Sequence, residues 1–109
     1  MAEAPDAIVV FTNFPDRDSA LALASHLIEQ RLAACVNVLE GCTSVYRWKS
    51  EVQVAGEFPV MIKTRQELYA DLQAAIRDHH PYELPEIIAL PVTAGMPGYL
   101  AWIAAQTER

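Results

Sequence analysis

The chain has 109 residues, 52% hydrophobic and 20% charged, which suits one domain able to bury a core without disulfides or a structural metal. Fourteen acidic residues against eight basic leave a net charge of −6, and the nearest basic pairs, Arg47 with Lys49 and Lys63 with Arg65, make no phosphate-binding patch, so nucleic acid is excluded as a partner. No run approaches the ~20 apolar residues of a membrane span, and the polar start from Met1 to Asp6 lacks the basic flank and apolar core of a signal peptide, which points to the cytoplasm.

Residues 1–6 read as a short tail and residues 7–109 as one domain. Ala7 to Phe11 is a β-rich run that ends in the turn chemistry of Thr12-Asn13-Phe14-Pro15-Asp16. Asp16 or Asp18 can cap the following helix, whose apolar face is Ala20, Ala24, Leu27, Ile28 and Leu32, and which runs to Arg31. His26 falls between positions of that stripe and is expected to face solvent.

Cys35 to Leu39 and Thr43 to Trp48 are rich in β-branched and aromatic residues and read as one long bent strand, with Gly41 at the bend. Lys49-Ser50-Glu51 then joins it to a second long strand through Val52, Val54, Phe58, Val60 and Ile62, as a hairpin arm curving away from the body. Cys35 and Cys42, seven positions apart in an extended segment, would be separated by ~20 Å, so no disulfide joins them and both read as small apolar residues of a reducing compartment.

Thr64 with Glu67 makes a capping-box pattern for the second helix, whose face continues through Leu68, Leu72, Ala75, Ile76 and His79. Pro81 ends that helix, because it lacks a backbone donor and drives His80 toward extended conformation. Pro85 leads into a strand over Glu86 to Val92, and Tyr99, Leu100, Trp102 and Ile103 place a short third helix over Gly98 to Thr107.

Strand, helix, strand, strand, helix, strand with right-handed crossovers gives an α+β, ferredoxin-like βαββαβ sandwich with a long bent hairpin and a short C-terminal helix. Both main helices then pack on one sheet face. The other face and the arm carry apolar residues, among them Tyr46, Trp48 and Phe58, that no element of one chain covers, and exposed sheet edges invite pairing, so self-association through the arm is expected.

Ala34-Cys35-Val36-Asn37-Val38, Thr43-Ser44-Val45-Tyr46-Arg47-Trp48, Ile62-Lys63-Thr64, His80-Pro81-Tyr82-Glu83-Leu84-Pro85-Glu86-Ile87-Ile88-Ala89-Leu90-Pro91 and Tyr99-Leu100-Ala101-Trp102 together resemble the CutA family of divalent-cation tolerance proteins, from about Ile8 to Trp102. The resemblance implies a tight homotrimer of PII-like architecture with no established catalytic reaction. It also implies a role in tolerance of copper and other divalent metals, as in bacterial members; animal members look like anchoring factors for a membrane enzyme.

Some bacterial relatives are described as holding copper with a first-strand cysteine and two adjacent histidines before a Pro-Tyr pair. His79 and His80 match that pair, and Thr12 stands where the cysteine would be. Threonine is a poor ligand for a soft metal. Adjacent helical residues diverge by about 100°, so the two rings converge only if the break at Pro81 turns one of them. On local physics alone His79 extends the apolar helix face and His80 is a helix-end cation favoured by the dipole. As metal ligands for Cu(II) or another divalent ion, they would bind weakly, with Glu83, Glu86 or Cys35 of a neighbouring subunit completing the site.

Tyr82 with Glu83, or Lys63 with Glu67, are the only acid-base pairs that suggest themselves. No nucleophile-base-orienter set and no Gly-rich phosphate loop accompanies them, so the chain reads as non-enzymatic and without an organic cofactor. The runner-up readings are a PII-like sensor of a small ligand at inter-subunit clefts and a trimeric scaffold for partner proteins.

Overall fold

A computed structural model describes residues 6–109, so the tail expected over residues 1–6 lies outside the described residues except for Asp6. The elements are β1 (Ala7–Phe14), α1 (Arg17–Glu29), β2 (Cys35–Val38), β3 (Cys42–Trp48), β4 (Glu51–Arg65), a 3₁₀ turn (Gln66–Leu68), α2 (Tyr69–His79), β5 (Ile88–Pro91) and α3 (Pro97–Gln106). The strands form an antiparallel sheet in the order β2-β4-β1-β5, with β3 lying beside the far half of β4. This is the expected ferredoxin-like arrangement.

Alternation along the strands places the core. Ile8, Val10 and Phe14 of β1 and Val60 and Ile62 of β4 are buried on one face against Ala20, Leu23 and Leu27 of α1 and Leu72 and Ile76 of α2. β1 runs three residues beyond the expected Phe11, because β4 continues to pair with it through Thr12↔Val60, Asn13↔Pro59 and Phe14↔Phe58. Ladder pairing outweighs the local turn chemistry of that stretch.

Helix α1 starts as expected, with Asp16 Oδ1 accepting the Ser19 N–H at 2.7 Å. Ala20, Leu27 and Leu32 of the expected face are buried, with Leu23 joining them, while Ala24 is half-buried and Ile28 exposed. The helix stops at Glu29 rather than Arg31 in a closed C-cap: the Leu32 N–H bonds Leu27 O and the Arg31 N–H bonds Ile28 O. Arg31 takes the left-handed conformation usual for glycine, with φ 56°, and its guanidinium reaches Gln106 O at 3.2 Å. Arg65 completes this tie to α3, donating to Thr107 Oγ1 at 2.8 Å and to Thr107 O at 2.7 Å. Two cations thus sit at the negative end of α3.

The expected single bent strand is two strands. Leu39 N–H still donates to Pro59 O at 2.9 Å, but Pro59 has no N–H to return, so the ladder of β2 fails there and pairing with β4 resumes at Cys42↔Glu57, one residue out of the earlier register. Thr64 is no helix cap. β4 runs on through Arg65, and the buried Thr64 hydroxyl instead donates to Leu32 O at 2.7 Å, pinning the α1–β2 connection to the sheet. The last strand is also shorter than expected, Ile88–Pro91 in place of residues 86–92.

Beyond Glu57, β4 pairs only with β3, in register from Cys42↔Glu57 to Trp48↔Glu51. This ribbon stretches the molecule to 52 × 26 × 24 Å. It closes on Lys49 and Ser50, both left-handed at φ 50° and 67°, which is the mirror-image two-residue turn that suits the twist of a hairpin but disfavours side chains. Replacing Ser50 by glycine relieves that strain and is expected to raise stability by roughly 0.5–1 kcal/mol, measured by denaturant unfolding at fixed protein concentration.

Candidate functional site

The two adjacent histidines do different things because Pro81 ends the helix between them. His79 is the last residue of α2 and keeps its helical direction; His80 is extended, with φ −90° and ψ 133°. The His79 ring is exposed, its Nδ1 lies 2.9 Å from Ala75 O, and it packs tilted against His26 of α1 with ring centroids 4.4 Å apart. His79 therefore leaves the apolar face of α2 instead of extending it, and His26 is half-buried by this contact rather than fully solvated.

His80 turns into the fold. The Val92 N–H bonded to Ala7 O shows that odd residues of β1 direct their carbonyls toward β5. β5 begins at Ile88, opposite Phe11, and so leaves Asn13 O without a strand partner. His80 Nε2 fills that place at 2.6 Å, while His80 Nδ1 accepts the Tyr82 N–H at 3.2 Å. These two bonds fix one neutral tautomer, with the proton on Nε2. Phe14 and Tyr82 pack against the ring at 4.2 and 4.8 Å. Burial lowers the pKa of His80 below 6.5, against smaller opposing effects of the Asn13 bond and the Glu57 charge.

The rings of His79 and His80 are thus held by different partners, and both nitrogens of His80 are engaged. Among the described residues no group of three or more His, Cys, Asp or Glu side chains is arranged to hold one metal ion. Thr12 is 1% exposed on the core face of β1, and its hydroxyl has no hydrogen-bond partner among the described residues. Cys35 and Cys42 are both free, Cys35 half-buried and Cys42 exposed, so the small apolar reading does not describe Cys42. Arg65 and Glu67 form an ion pair, so Glu67 neither caps α2 nor pairs with Lys63.

The end of α2 opens onto a cleft of about 650 Å³ between the arm and the Pro81–Glu86 loop. Tyr46 and Trp48 of β3, Glu57 of β4, and Tyr82, Glu83 and Glu86 of the loop line it. Glu57 is 7% exposed. The hydroxyl of Tyr82 has its pKa pushed up to about 12, first by burial and then by its hydrogen bond to Glu57 and that carboxylate's charge. Asn13 Nδ2 donates to Glu86 Oε1 at 3.3 Å, which ties the loop to β1. Sequence reasoning passed over Glu57, Tyr46 and Trp48 as site residues. One signal was present: Glu57 is the only charged residue between Glu51 and Lys63, in a stretch otherwise apolar but for Gln53.

Comparison with known proteins places these features in a family. The sequence model of the CutA1 divalent ion tolerance protein family matches residues 8–106. The divalent-cation tolerance protein CutA of Thermus thermophilus is 40% identical over 91% of this chain and 96% of its own length. The chloroplastic CutA protein of Arabidopsis thaliana is 42% identical over 94% of this chain, and the mouse CutA protein 43% identical over 90%. The chain spans 56% and 55% of those two longer relatives. Among solved structures, CutA1 of Oryza sativa superposes with a TM-score of 0.93 at 38% identity, covering 96% of both chains. The protein from Thermus thermophilus does so with 0.91 at 39% identity, covering 94% of this chain and 99% of that one.

Two outcomes are expected from the site geometry. Thr12→Val keeps the shape and removes a buried hydroxyl without a partner, so it should stabilise the fold by roughly 1 kcal/mol in denaturant unfolding. The second concerns pH. The unfolded chain takes up a proton on His80 near 6.5, before the folded chain does. The stability His80 contributes is therefore full above that pH and is lost as pH falls toward the lower folded value. Unfolding measured between pH 7.5 and 5.5 should show this loss in the natural protein. A His80→Gln variant should show a shallower pH slope.

Proposed function

Because the chain belongs to the CutA1 divalent ion tolerance protein family, we propose that it works as a non-enzymatic cytoplasmic homotrimer that binds divalent metal ions such as Cu(II) weakly. The observation that carries the metal reading is the hydrogen bond of His79 to Ala75. The His79 Nδ1 lies on Ala75 O, which makes that nitrogen the donor and leaves an exposed Nε2 with a free lone pair. Imidazole nitrogen suits Cu(II), Ni(II) and Zn(II). We assign His79 as the first ligand, with His80 joining only when it releases Asn13 O.

The trimer is supported by surface that one subunit leaves uncovered. The arm is a two-stranded ribbon, which in water is marginal alone, and Val45, Val52 and Val54 on it are exposed. Ile88 and Leu90 of the edge strand β5 are about half exposed, at 53% and 48%. Apolar area of this extent marks contact with another chain. The exposed thiol of Cys42 accords with a reducing compartment.

A second reading, a PII-like sensor of a small ligand, is favoured by the cleft between the arm and the Pro81–Glu86 loop, whose volume is that of a small-molecule site.

One preparation tests the main reading. Light scattering should give about three times the 12.1 kDa subunit mass. Calorimetric titration with Cu(II) should show binding that is lost in His79→Ala and retained in His80→Ala. A His79→Ala, His80→Ala double variant that binds Cu(II) like the natural protein would remove both residues from any site.

A further inference from the structure

We propose that the cleft between the arm and the Pro81–Glu86 loop binds a small, extended organic cation carrying ammonium groups. The inference rests on the reading of that cleft as a ligand site and names the chemical class of its ligand. Its walls present three carboxylates, Glu57, Glu83 and Glu86, and three aromatic rings, Tyr46, Trp48 and Tyr82. Carboxylates and π faces both attract ammonium ions and repel anions, which makes phosphates and organic acids poor matches.

The chain itself displays the interaction. The ammonium of Lys49, at the tip of the arm, sits 5.6 Å from the centroid of the Trp48 ring and 3.9 Å from Glu83 Oε2. An alkylammonium is thus already seated at the rim on one aromatic face and one carboxylate, as a tethered version of the ligand.

Deeper in, Glu57 is 7% exposed and forms no ion pair with any Lys, Arg or His among the described residues. The Tyr82 hydroxyl hydrogen-bonds to it. A carboxylate on so largely buried a residue ordinarily has a cation beside it, and an ammonium entering the cleft supplies one. The three carboxylates are not gathered around one point, since no metal-holding group of three exists among the described residues. A spherical ion therefore cannot use them together, whereas a flexible cation with charges at separate positions can.

The test is calorimetric titration of the assembled protein, in buffer containing a metal chelator, with 1,4-diaminobutane and with its neutral counterpart 1,4-butanediol. The diamine is expected to bind and the diol not to, with affinity falling as salt is raised. Glu57→Gln should weaken diamine binding roughly tenfold or more. Glu83→Gln, on the exposed loop where folding is not at stake, should weaken it to a smaller extent. Lys49→Gln removes the tethered competitor and should tighten it. Glu29→Gln, on α1 away from the cleft, should leave it unchanged, which separates the cleft from the general acidity of the surface.

Equal binding of diamine and diol, no binding of either, or diamine binding unaltered in both Glu57→Gln and Glu83→Gln would overturn the proposal. A thermal shift with nucleotides or organic acids in the absence of diamine binding would refute the cation and leave the cleft a ligand site. No shift with any of them would refute both.

Discussion

Strand β4 is the constraint on which the rest of the structure depends. Its 15 residues at about 3.3 Å each span roughly 50 Å, the long axis of the molecule. One half pairs with β1 and β2 and supplies Val60 and Ile62 to the core; the other half pairs with β3 alone and forms the arm. A single strand thus holds body and arm in one register. Shifting that register by one residue would turn the core side chains of β4 outward, so burial of one face fixes the position of the arm as well.

Two prolines act on this frame through the hydrogen bonds they cannot make. Pro59 leaves the β2 ladder incomplete at Leu39 and divides one long strand into β2 and β3, which lets the arm depart from the sheet. Pro81 makes His80 extended, so that its ring swings from the helix surface to the orphaned carbonyl of Asn13. The same movement brings Tyr82 against Glu57 and shapes the loop that faces the arm. A backbone carbonyl without a strand partner therefore organises the side chains around the cleft, because leaving it unpaired inside the fold would cost about as much as a lost hydrogen bond.

The division of labour between the histidines follows from this. His80 has both nitrogens committed and holds the loop in place; His79, one residue earlier, remains on the surface with His26. The cleft is acidic and aromatic, and the hairpin turn brings Lys49 against Glu83 at its rim. That turn holds two residues in left-handed conformations, so the position of Lys49 over Trp48 is set by backbone geometry as well as by charge.

The order of elements, the antiparallel hairpin, the Asp16 cap and the helix end at Pro81 were legible because each rests on local rules: periodicity, side-chain capping and the missing donor of proline. The same local rules misassigned Thr64, whose capping-box spacing is real but whose hydroxyl finds Leu32 O, a partner 32 residues away. They placed a turn at Thr12 to Phe14, where pairing with β4 prolongs a strand, and they read Cys42 as apolar although it lies in the exposed arm.

His79 and His80 could be singled out from their residue type and position. Their divergence could not, since it depends on a carbonyl of β1 and a ring of α1. By itself the sequence determined the order of helices and strands and singled out two candidate histidines. Only the tertiary structure decided which of those residues meet, because sheet register and the carbonyls it leaves unpaired arise from contacts between distant segments.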